Sequence, residues 1–345
     1  MTESFRSGKA AADFLAIEAP EEWRRVEEVY PLLINRHCLE LIDRSKGDAD
    51  PVWRQFLPSA AELDDRASDF DPLAEERQML APRLIRRFLD RAVVLVTGNC
   101  AVHCRFCFRK RLWKQGAALA DISDAELEKI IAALKAHPEI REVLLSGGDP
   151  CMVADARLKE IIAAFSALEQ ISVIRLGTKL PAVWPERFTP DFIDMLAGFD
   201  KLWLLTHFNH PNEVAASSSA VCRALVKRGV PVLNQCVLLR GVNDRPEVME
   251  ELFRKLLAIK VKPHYMFHVD PVRGVRHFAT GIEAGLEVMR HLRGRLSSLG
   301  TPTFAIDLPE GGGKVALQPD YAAGDGFWDI HNERSIKYPD KEIKK

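Results

Sequence analysis

The sequence lacks any apolar stretch long enough to cross a lipid bilayer, for which about 20 consecutive apolar residues are needed. The longest apolar runs, at residues 92–97 and 230–239, are far shorter. The N-terminal residues are polar and contain no apolar core of the kind that a signal peptide carries. The formal net charge is only −1. A charge this small predicts neither a nucleic-acid partner nor binding to an anionic membrane. These absences favour a cytoplasmic enzyme.

A disulfide framework is also unsupported, because the seven cysteines are odd in number and unevenly placed. Cys100, Cys104 and Cys107 crowd into one short segment, whereas the other four cysteines are scattered along the chain. A crowded group of thiols beside isolated ones is typical of a metal site rather than of structural disulfides.

From about residue 90 onward, short apolar runs alternate regularly with amphipathic runs. Short apolar runs predict strands over residues 92–97, 142–146, 172–177, 201–206, 231–238 and 262–269. Amphipathic runs predict helices over residues 123–137, 155–168, 190–197, 213–228 and 245–259. This alternation predicts an α/β fold with a parallel sheet and right-handed crossovers. Periodicity alone is compatible with both a partial (β/α)6 barrel and a doubly wound sheet.

The pattern divides the chain into three predicted regions. Residues 1–88 lack the alternation and are interpreted as an α-helical N-terminal extension, with a helix pair within residues 21–41. Residues 89–300 form the (β/α)6 core. Residues 301–345 form a C-terminal segment, which begins with one more apolar run and continues as Asp307-Leu-Pro-Glu-Gly-Gly-Gly-Lys314.

The three crowded cysteines have the spacing C-x3-C-x2-C and directly follow the first predicted strand. Thiolates at this spacing can converge on one iron–sulfur cluster. Three ligands leave one of four irons open, just as catalytic zinc sites keep one position open. A zinc knuckle would need a fourth ligand, and no second C-x2-C is present. The pattern therefore favours a 4Fe–4S cluster.

This motif, with Phe106 just before the third cysteine, resembles the signature of the radical S-adenosylmethionine (SAM) superfamily. The resemblance implies a partial (β/α)6 radical-SAM barrel, in which the open iron chelates SAM and Phe106 lies beside the adenine. It also implies reductive cleavage of SAM to a 5′-deoxyadenosyl radical, with a reducing partner such as flavodoxin or ferredoxin.

A glycine-containing segment follows the second predicted strand. Taken alone, it would be interpreted as a tight strand–helix turn, but its position after the cysteine loop resembles the element that holds the methionyl amino group of SAM. His207 and Gln235 match further family residues near the cofactors. The residues assigned to SAM binding on this basis, besides Phe106, are Ser146, Gly147, Gly148, Asp149, His207 and Gln235.

The resemblance narrows to the lysine 2,3-aminomutase family over about residues 85–320, most specifically at residues 206–213, 233–244 and 307–314. It implies that Lys314 is the catalytic lysine that forms a Schiff base with pyridoxal 5′-phosphate (PLP). A P-loop is excluded, because Leu308 stands where its first glycine would fall and Val315 replaces the required Ser or Thr. Arg87 and Arg91 match the family's phosphate-binding arginines, although a solvated basic helix face would give the same pattern.

Three further residues match the substrate-binding positions of that family. Arg109 corresponds to the arginine that pairs with the substrate α-carboxylate, for which a planar guanidinium is suited. Asp270 and Asp307 correspond to the carboxylates that hold the lysine ε-ammonium. Two buried carboxylates repel each other unless a cation lies between them, so they select a substrate with a distal positive charge. Glutamate-specific relatives carry a cationic and an amide side chain here, which argues against glutamate.

The five loops that carry these groups are predicted to meet. Cys100, Gly147, Thr178, His207 and Asp270 each lie just past the end of a different predicted strand. In parallel α/β barrels, active sites gather at the carboxyl ends of the strands. The sequence therefore predicts one shared site for the cluster, SAM, PLP and substrate.

The function predicted from these residues is transfer of the amino group of L-lysine from Cα to Cβ, giving β-lysine. Alternatives that remain open are an (R)-β-lysine synthase that serves modification of elongation factor P, and an aminomutase for arginine or another basic amino acid. Family enzymes with longer chains carry a C-terminal zinc site shared between subunits, but the last cysteine here is Cys236. Any homo-oligomer is therefore expected to form without that zinc.

Overall fold

The core of the molecule is a ten-stranded, mostly parallel sheet, shown by a computed structural model that describes residues 3–65, 68–114, 119–324, 326–330 and 333–338. The strands are β1 (Ser4–Phe5), β2 (Ile34–Asn35), β3 (Met79–Ala81), β4 (Leu84–Ile85), β5 (Arg91–Thr97), β6 (Glu142–Gly147), β7 (Val173–Gly177), β8 (Leu202–Thr206), β9 (Val232–Leu238), β10 (Lys262–His268), β11 (Thr303–Asp307), β12 (Lys314–Leu317), β13 (Ala322–Ala323), β14 (Gly326–Asp329) and β15 (Arg334–Lys337).

Helices cover the sheet between successive strands and also fill the N-terminal region. They are α1 (Gly8–Leu15), α2 (Glu21–Val29), α3 (Arg36–Glu40), α4 (Pro51–Phe56), α5 (Ala61–Asp64), α6 (Asp124–Ala136), α7 (Asp155–Ser166), α8 (Leu180–Val183), α9 (Pro190–Ala197), α10 (Ala216–Lys227), α11 (Pro246–Ala258) and α12 (Ile282–Arg293). In the described parts of the chain, none of them has the length and apolar content needed to cross a membrane.

The order of strands decides between the two layouts that the sequence left open. The strands β5 to β11 lie side by side in chain order and all run parallel, whereas a doubly wound sheet reverses its strand order at a switch point. Short antiparallel strands, β3 and β4 at one edge and β12 at the other, complete the sheet. The strands β4 and β11 lie near opposite edges of the sheet. Arg87, between β4 and β5, nevertheless donates a hydrogen bond to Asp307 at the end of β11, which shows that the sheet is curved.

The predicted α/β elements are confirmed, with boundaries that shift by no more than three residues. Strand β11 adds a seventh parallel strand to the six predicted ones and accounts for the apolar run that opens the C-terminal segment. Alternation along β9 buries Val232, Asn234, Cys236 and Leu238 on one face, which leaves Gln235 on the other. A capping box formed by Ser123 and Glu126 starts α6 at Asp124.

The N-terminal region is helical, as predicted, and docks on the cysteine loop through a buried ion-pair group. Glu62 accepts hydrogen bonds from Arg105 at 2.7 Å and from Lys110 at 2.6 Å, and all three side chains are essentially inaccessible to solvent. Arg105 also donates to the carbonyl of Tyr30, and Lys110 to that of Gly274. Removing one member of such a group leaves an uncompensated buried charge, so it fixes the loop firmly.

Candidate active site

The loop after β5 carries the three crowded cysteines, all of them half-buried. Loss of hydration raises the pKa of the Cys104 thiol to about 12 and also raises the pKa values of Cys100 and Cys107. The neighbouring Cys107 and Cys104 thiols add to the rise at Cys100, so the three sulfurs lie within electrostatic range of one another. Among the described residues, no group of three or more His, Cys, Asp or Glu side chains forms a ready-made metal site.

The donor set nevertheless suits an iron–sulfur cluster. Three thiols on one short loop supply the ligand type that such clusters use, and binding a metal would deprotonate them. The cations Arg109, Lys110 and Arg111 all act to lower the pKa of Cys107, after the opposing effect of burial. Positive charge at this position would stabilise the thiolates that a cluster requires.

The glycine-containing loop after β6 packs directly against the backbone that leads into the cysteine loop. Gly147 has a φ of +121°, and a Cβ at this position would lie 2.3 Å from the carbonyl oxygen of Thr97. A Cβ at Gly148 would lie 2.3 Å from the carbonyl oxygen of Asn99. Only glycine permits this approach, which brings the two loops together.

Asp149 joins this loop to the one after β7. Its carboxylate accepts hydrogen bonds from the Thr178 hydroxyl at 2.8 Å and from the backbone N–H groups of Lys179 and Cys151 at 2.8 and 3.0 Å. Burial raises the pKa of Asp149 to about 6, although these hydrogen bonds oppose the rise. The geometry assigns Asp149 a bracing role, and direct contact with SAM remains a prediction.

Phe106 and His207 face each other beside the cysteine loop, with ring centroids 5.6 Å apart. Burial, together with the positive charge of Lys179, lowers the pKa of His207 to about 3, so the imidazole is neutral at pH 7. Its Nε2 atom lies 3.1 Å from Oδ1 of Asn209. Gln235 is half-buried on the face of β9 opposite its core residues. Phe106 and His207 are therefore neighbours, and a role of these two side chains and of Gln235 in SAM binding stays a prediction.

Lys314 opens β12, and its position follows from a hairpin. Strands β11 and β12 pair in antiparallel fashion, so that Asp307 and Lys314 lie directly opposite each other. The Lys314 ammonium donates to Asp307 at 2.8 Å and lies 3.9 Å from the ring centre of Phe267 and 5.2 Å from that of Tyr265. Burial lowers the pKa of Lys314, against the influence of Asp307. A lowered pKa makes the neutral, nucleophilic amine more accessible.

Of the two arginines predicted to bind phosphate, only Arg87 contacts the neighbourhood of Lys314. It donates to Asp307 at 3.3 Å and to the Gly312 carbonyl at 2.7 Å, and its buried Nε has no hydrogen-bond partner among the described residues. Arg91 instead lies over the Phe88 ring at 4.4 Å and 3.8 Å from Asp90, and it is 41% exposed. The lysine, the aromatic rings and the free Nε together fit a PLP molecule.

Asp270 lies in the same pocket. Burial raises its pKa to about 7, and the negative charge of Asp307 adds to the rise, while Lys314 and Arg87 act in the opposite direction. Glu75 also contributes to the rise. The two predicted carboxylates, Lys314 and Arg87 are therefore brought together.

Glu75 is the residue of this site that sequence reasoning missed. Its carboxylate accepts from Nη2 of Arg109 at 2.7 Å and from Nε at 3.0 Å, while Arg109 Nη1 donates to Ser146 at 3.0 Å. Glu75 lies in a polar segment without periodicity, 34 residues before Arg109, and no motif signals it. Only the folded chain reveals the pair.

Two family models match this chain. The model of the radical SAM superfamily matches residues 94–253, and that of lysine-2,3-aminomutase matches residues 289–326. The first range spans β6 to β9, most of β5 and the cysteine loop, and the second spans the Lys314 hairpin.

Curated relatives match most of the chain. A protein of Aquifex aeolicus, provisionally named L-lysine 2,3-aminomutase, is 44% identical over 318 residues, which cover 90% of this chain and 85% of that one. The L-lysine 2,3-aminomutase of Clostridium subterminale is 40% identical over 291 residues (84% and 69%). The chain belongs to the lysine 2,3-aminomutase family of radical SAM enzymes. The family is not uniform in substrate, since the glutamate 2,3-aminomutase of Clostridioides difficile is 38% identical over 293 residues (85% and 69%).

As a radical SAM 2,3-aminomutase, the protein is an isomerase, and membership of the superfamily implies a 4Fe–4S cluster and SAM. Among solved structures, a radical SAM methyltransferase from Sphaerobacter thermophilus superposes with a TM-score of 0.50 at 21% identity, covering 65% of this chain and 68% of that one. That likeness supports the fold alone.

The pKa of Asp270 leads to a testable pH dependence in this aminomutase. Below about pH 7 the Asp270 carboxyl is protonated and attracts a distal ammonium weakly, and above it the carboxylate attracts the ammonium strongly. We expect the affinity for lysine, relative to norleucine, to rise by about tenfold between pH 6 and pH 8. Norleucine shares the α-amino group but lacks the ε-ammonium, so the ratio isolates the distal charge.

Asp270→Asn is the control for this prediction. The variant should bind lysine weakly, and its lysine-to-norleucine ratio should not change over the same pH range. A wild-type ratio that stays constant with pH, or an unchanged pH dependence in Asp270→Asn, would show that Asp270 does not face the distal charge.

Proposed function

We propose that this enzyme is a lysine 2,3-aminomutase that binds PLP and moves the α-amino group of L-lysine to Cβ, giving β-lysine. The observation that carries the proposal is the pair of carboxylates, Asp270 and Asp307, beside Lys314. Burial and the negative charge of Asp307 raise the pKa of Asp270 even though Lys314 and Arg87 lie nearby, so a further cation would relieve the repulsion. A substrate with a distal ammonium supplies that cation.

The other residues near these two carboxylates have the following roles in this proposal. Lys314 holds PLP covalently, Arg87 binds its phosphate, and Phe267 and Tyr265 exclude water from the pyridine ring. Arg109 pairs with the substrate α-carboxylate. When bound, the cluster would supply the electron that cleaves SAM, the radical so formed would remove a hydrogen atom from the substrate, and PLP would carry the migrating amino group. The barrel positions the substrate and excludes water.

The charges of the pocket argue against glutamate as the substrate. A glutamate side chain would place a third carboxylate beside Asp270 and Asp307, which burial makes costly. Arginine is a second candidate, because two carboxylates also pair well with a guanidinium. Production of (R)-β-lysine for modification of elongation factor P differs from free-lysine metabolism in the enantiomer formed.

The decisive experiment is anaerobic incubation of the reconstituted enzyme with SAM, PLP, dithionite and one amino acid at a time. We expect lysine to give β-lysine, with arginine and glutamate converted at least about 100-fold more slowly. Chiral chromatography of the product then separates the two lysine pathways. Turnover of glutamate or arginine in preference to lysine would overturn the substrate assignment.

A further inference from the structure

Glu75 and Arg109 form a buried, two-pronged ion pair at the edge of the active site, with side chains 3% and 7% exposed. The Glu75 carboxylate takes the Nε–Nη2 edge of the guanidinium, and Ser146 accepts from Nη1. The guanidinium is therefore held in one orientation.

A guanidinium has five N–H donors arranged in a fixed fork. The edge taken by Glu75 uses the donor on Nε and one donor on Nη2, and Ser146 uses one on Nη1. Among the described residues, the second donor of Nη2 has no acceptor, and the weaker acceptor of Nη1, the Gly147 carbonyl, lies at a long 3.5 Å. The edge between Nη1 and Nη2 is therefore the part of the fork best able to receive a second carboxylate.

Glu75 has a second charged partner, Arg111, which makes it unfavourable for a substrate carboxylate to displace Glu75 from Arg109. Arg111 contacts Glu75 at 3.1 Å, and Arg109 and Arg111 both lower the pKa of Glu75 against the effect of burial. A carboxylate that left this position would lose two charged partners in a buried setting, which is strongly unfavourable. Glu75 thus stays on Arg109 while the substrate binds.

The segment that carries Glu75 also touches the loop before Lys314. The Glu310 N–H donates to the Pro72 carbonyl at 2.8 Å, and the Gln78 side chain lies against Gly311. Glu75 also acts to raise the pKa of Asp270, so the two carboxylates lie within electrostatic range of each other. One short segment therefore spans the distance between Arg109 and the lysine hairpin.

We infer that Glu75 is a positioning residue that orients Arg109, so that the Nη1–Nη2 edge of Arg109 receives the α-carboxylate of the amino-acid substrate. The inference rests on the proposed function, since it assumes an α-amino acid whose amino group meets PLP at Lys314. Glu75 itself does not touch the substrate. Its effect is to discriminate α-amino acids from amines that lack a carboxylate.

The test compares lysine with cadaverine, which has the same two amino groups and no carboxylate. Dissociation constants are measured by spectrophotometric titration of the PLP-loaded protein, so that turnover is not required. We expect Glu75→Gln to weaken lysine binding by about tenfold or more, because Arg109 loses its charged partner and its orientation. Cadaverine binding should stay within about twofold of the wild type.

Two further variants separate positioning from folding. Glu75→Asp keeps the charge and should recover part of the lysine affinity. Asp71→Asn removes a carboxylate of the same segment that contacts Arg111 at 3.3 Å but, among the described residues, forms no hydrogen bond with Arg109, and this variant should bind lysine like the wild type. Equal loss of lysine and cadaverine in Glu75→Gln, or no loss of either, would overturn the inference. A wild-type protein without preference for lysine over cadaverine would instead overturn the proposed function, and the inference with it.

Discussion

Replacing Lys314 with alanine is expected to lower the rate of β-lysine formation by about 1000-fold or more and to abolish covalent attachment of PLP. The reason is that Lys314 is the amine in the pocket beside Asp270, Asp307 and the Phe267 ring, with a pKa that burial lowers. Reduction with borohydride, followed by peptide mass mapping, should place PLP on the peptide that contains residue 314 in the wild type. The same treatment should leave the variant unlabelled.

Two controls sharpen this experiment. Lys314→Arg keeps a cation opposite Asp307 and should preserve folding, yet it should be as inactive as the alanine variant. Lys135→Ala removes an exposed lysine on α6 and should leave both labelling and activity unchanged. Borohydride-stable PLP on another lysine in the wild type would refute the assignment.

Replacing Cys104 with alanine is expected to have an effect of similar size through a different route. Loss of one of three thiols should remove the charge-transfer absorbance of the 4Fe–4S cluster and reduce SAM cleavage by about 1000-fold or more. Both are measured after anaerobic reconstitution with iron and sulfide. Binding of PLP to Lys314 should persist, because the hairpin of β11 and β12 does not depend on the cysteine loop.

Cys222→Ala provides the matched control. Cys222 is a fully buried thiol on α10, and loss of hydration raises its pKa to about 12, much as at Cys104. It lies outside the cysteine loop, so this variant should retain the cluster. An intact cluster in Cys104→Ala, or a lost cluster in Cys222→Ala, would contradict the proposed ligand set.

The sequence predicts the features that depend on local order. Alternation of apolar residues places β5 to β10 and five helices, because burial on one side of a strand or helix imposes a period on the chain. The Asp307–Lys314 contact is also local, since the two residues face each other across a hairpin. Cys100, Cys104 and Cys107 are adjacent in sequence, so their shared role is visible before folding.

Features that depend on curvature or on distant segments could not be predicted. Periodicity does not reveal that β5 to β11 lie in chain order, which excludes a doubly wound sheet. Arg87 and Arg91 look equivalent in the sequence, but the direction of each side chain near β5 brings only Arg87 to Asp307. Glu75 reaches Arg109 because an irregular segment crosses the pocket. Irregular backbone has no hydrophobic periodicity from which its position could be predicted.

One physical idea connects these residues. The barrel brings carboxylates and cations together in one region, with Asp270 and Asp307 against Lys314 and Arg87, and Glu75 against Arg109. Buried charges are tolerated when each has a partner, and a zwitterionic substrate with a distal ammonium adds one negative and two positive groups at positions that can receive them. This arrangement of charges is the basis for the substrate class proposed above.

The central claim is that the cysteine loop and the Lys314 hairpin act on one substrate molecule, and hydrogen transfer tests it most directly. Lysine deuterated at Cβ is incubated anaerobically with the reconstituted enzyme, SAM, PLP and dithionite, and the deuterium is located by mass spectrometry and NMR. We predict deuterium at Cα of the β-lysine formed and at the 5′-carbon of the adenosyl group. β-Lysine that keeps all of its deuterium at Cβ, or exchanges it with water, would contradict this account.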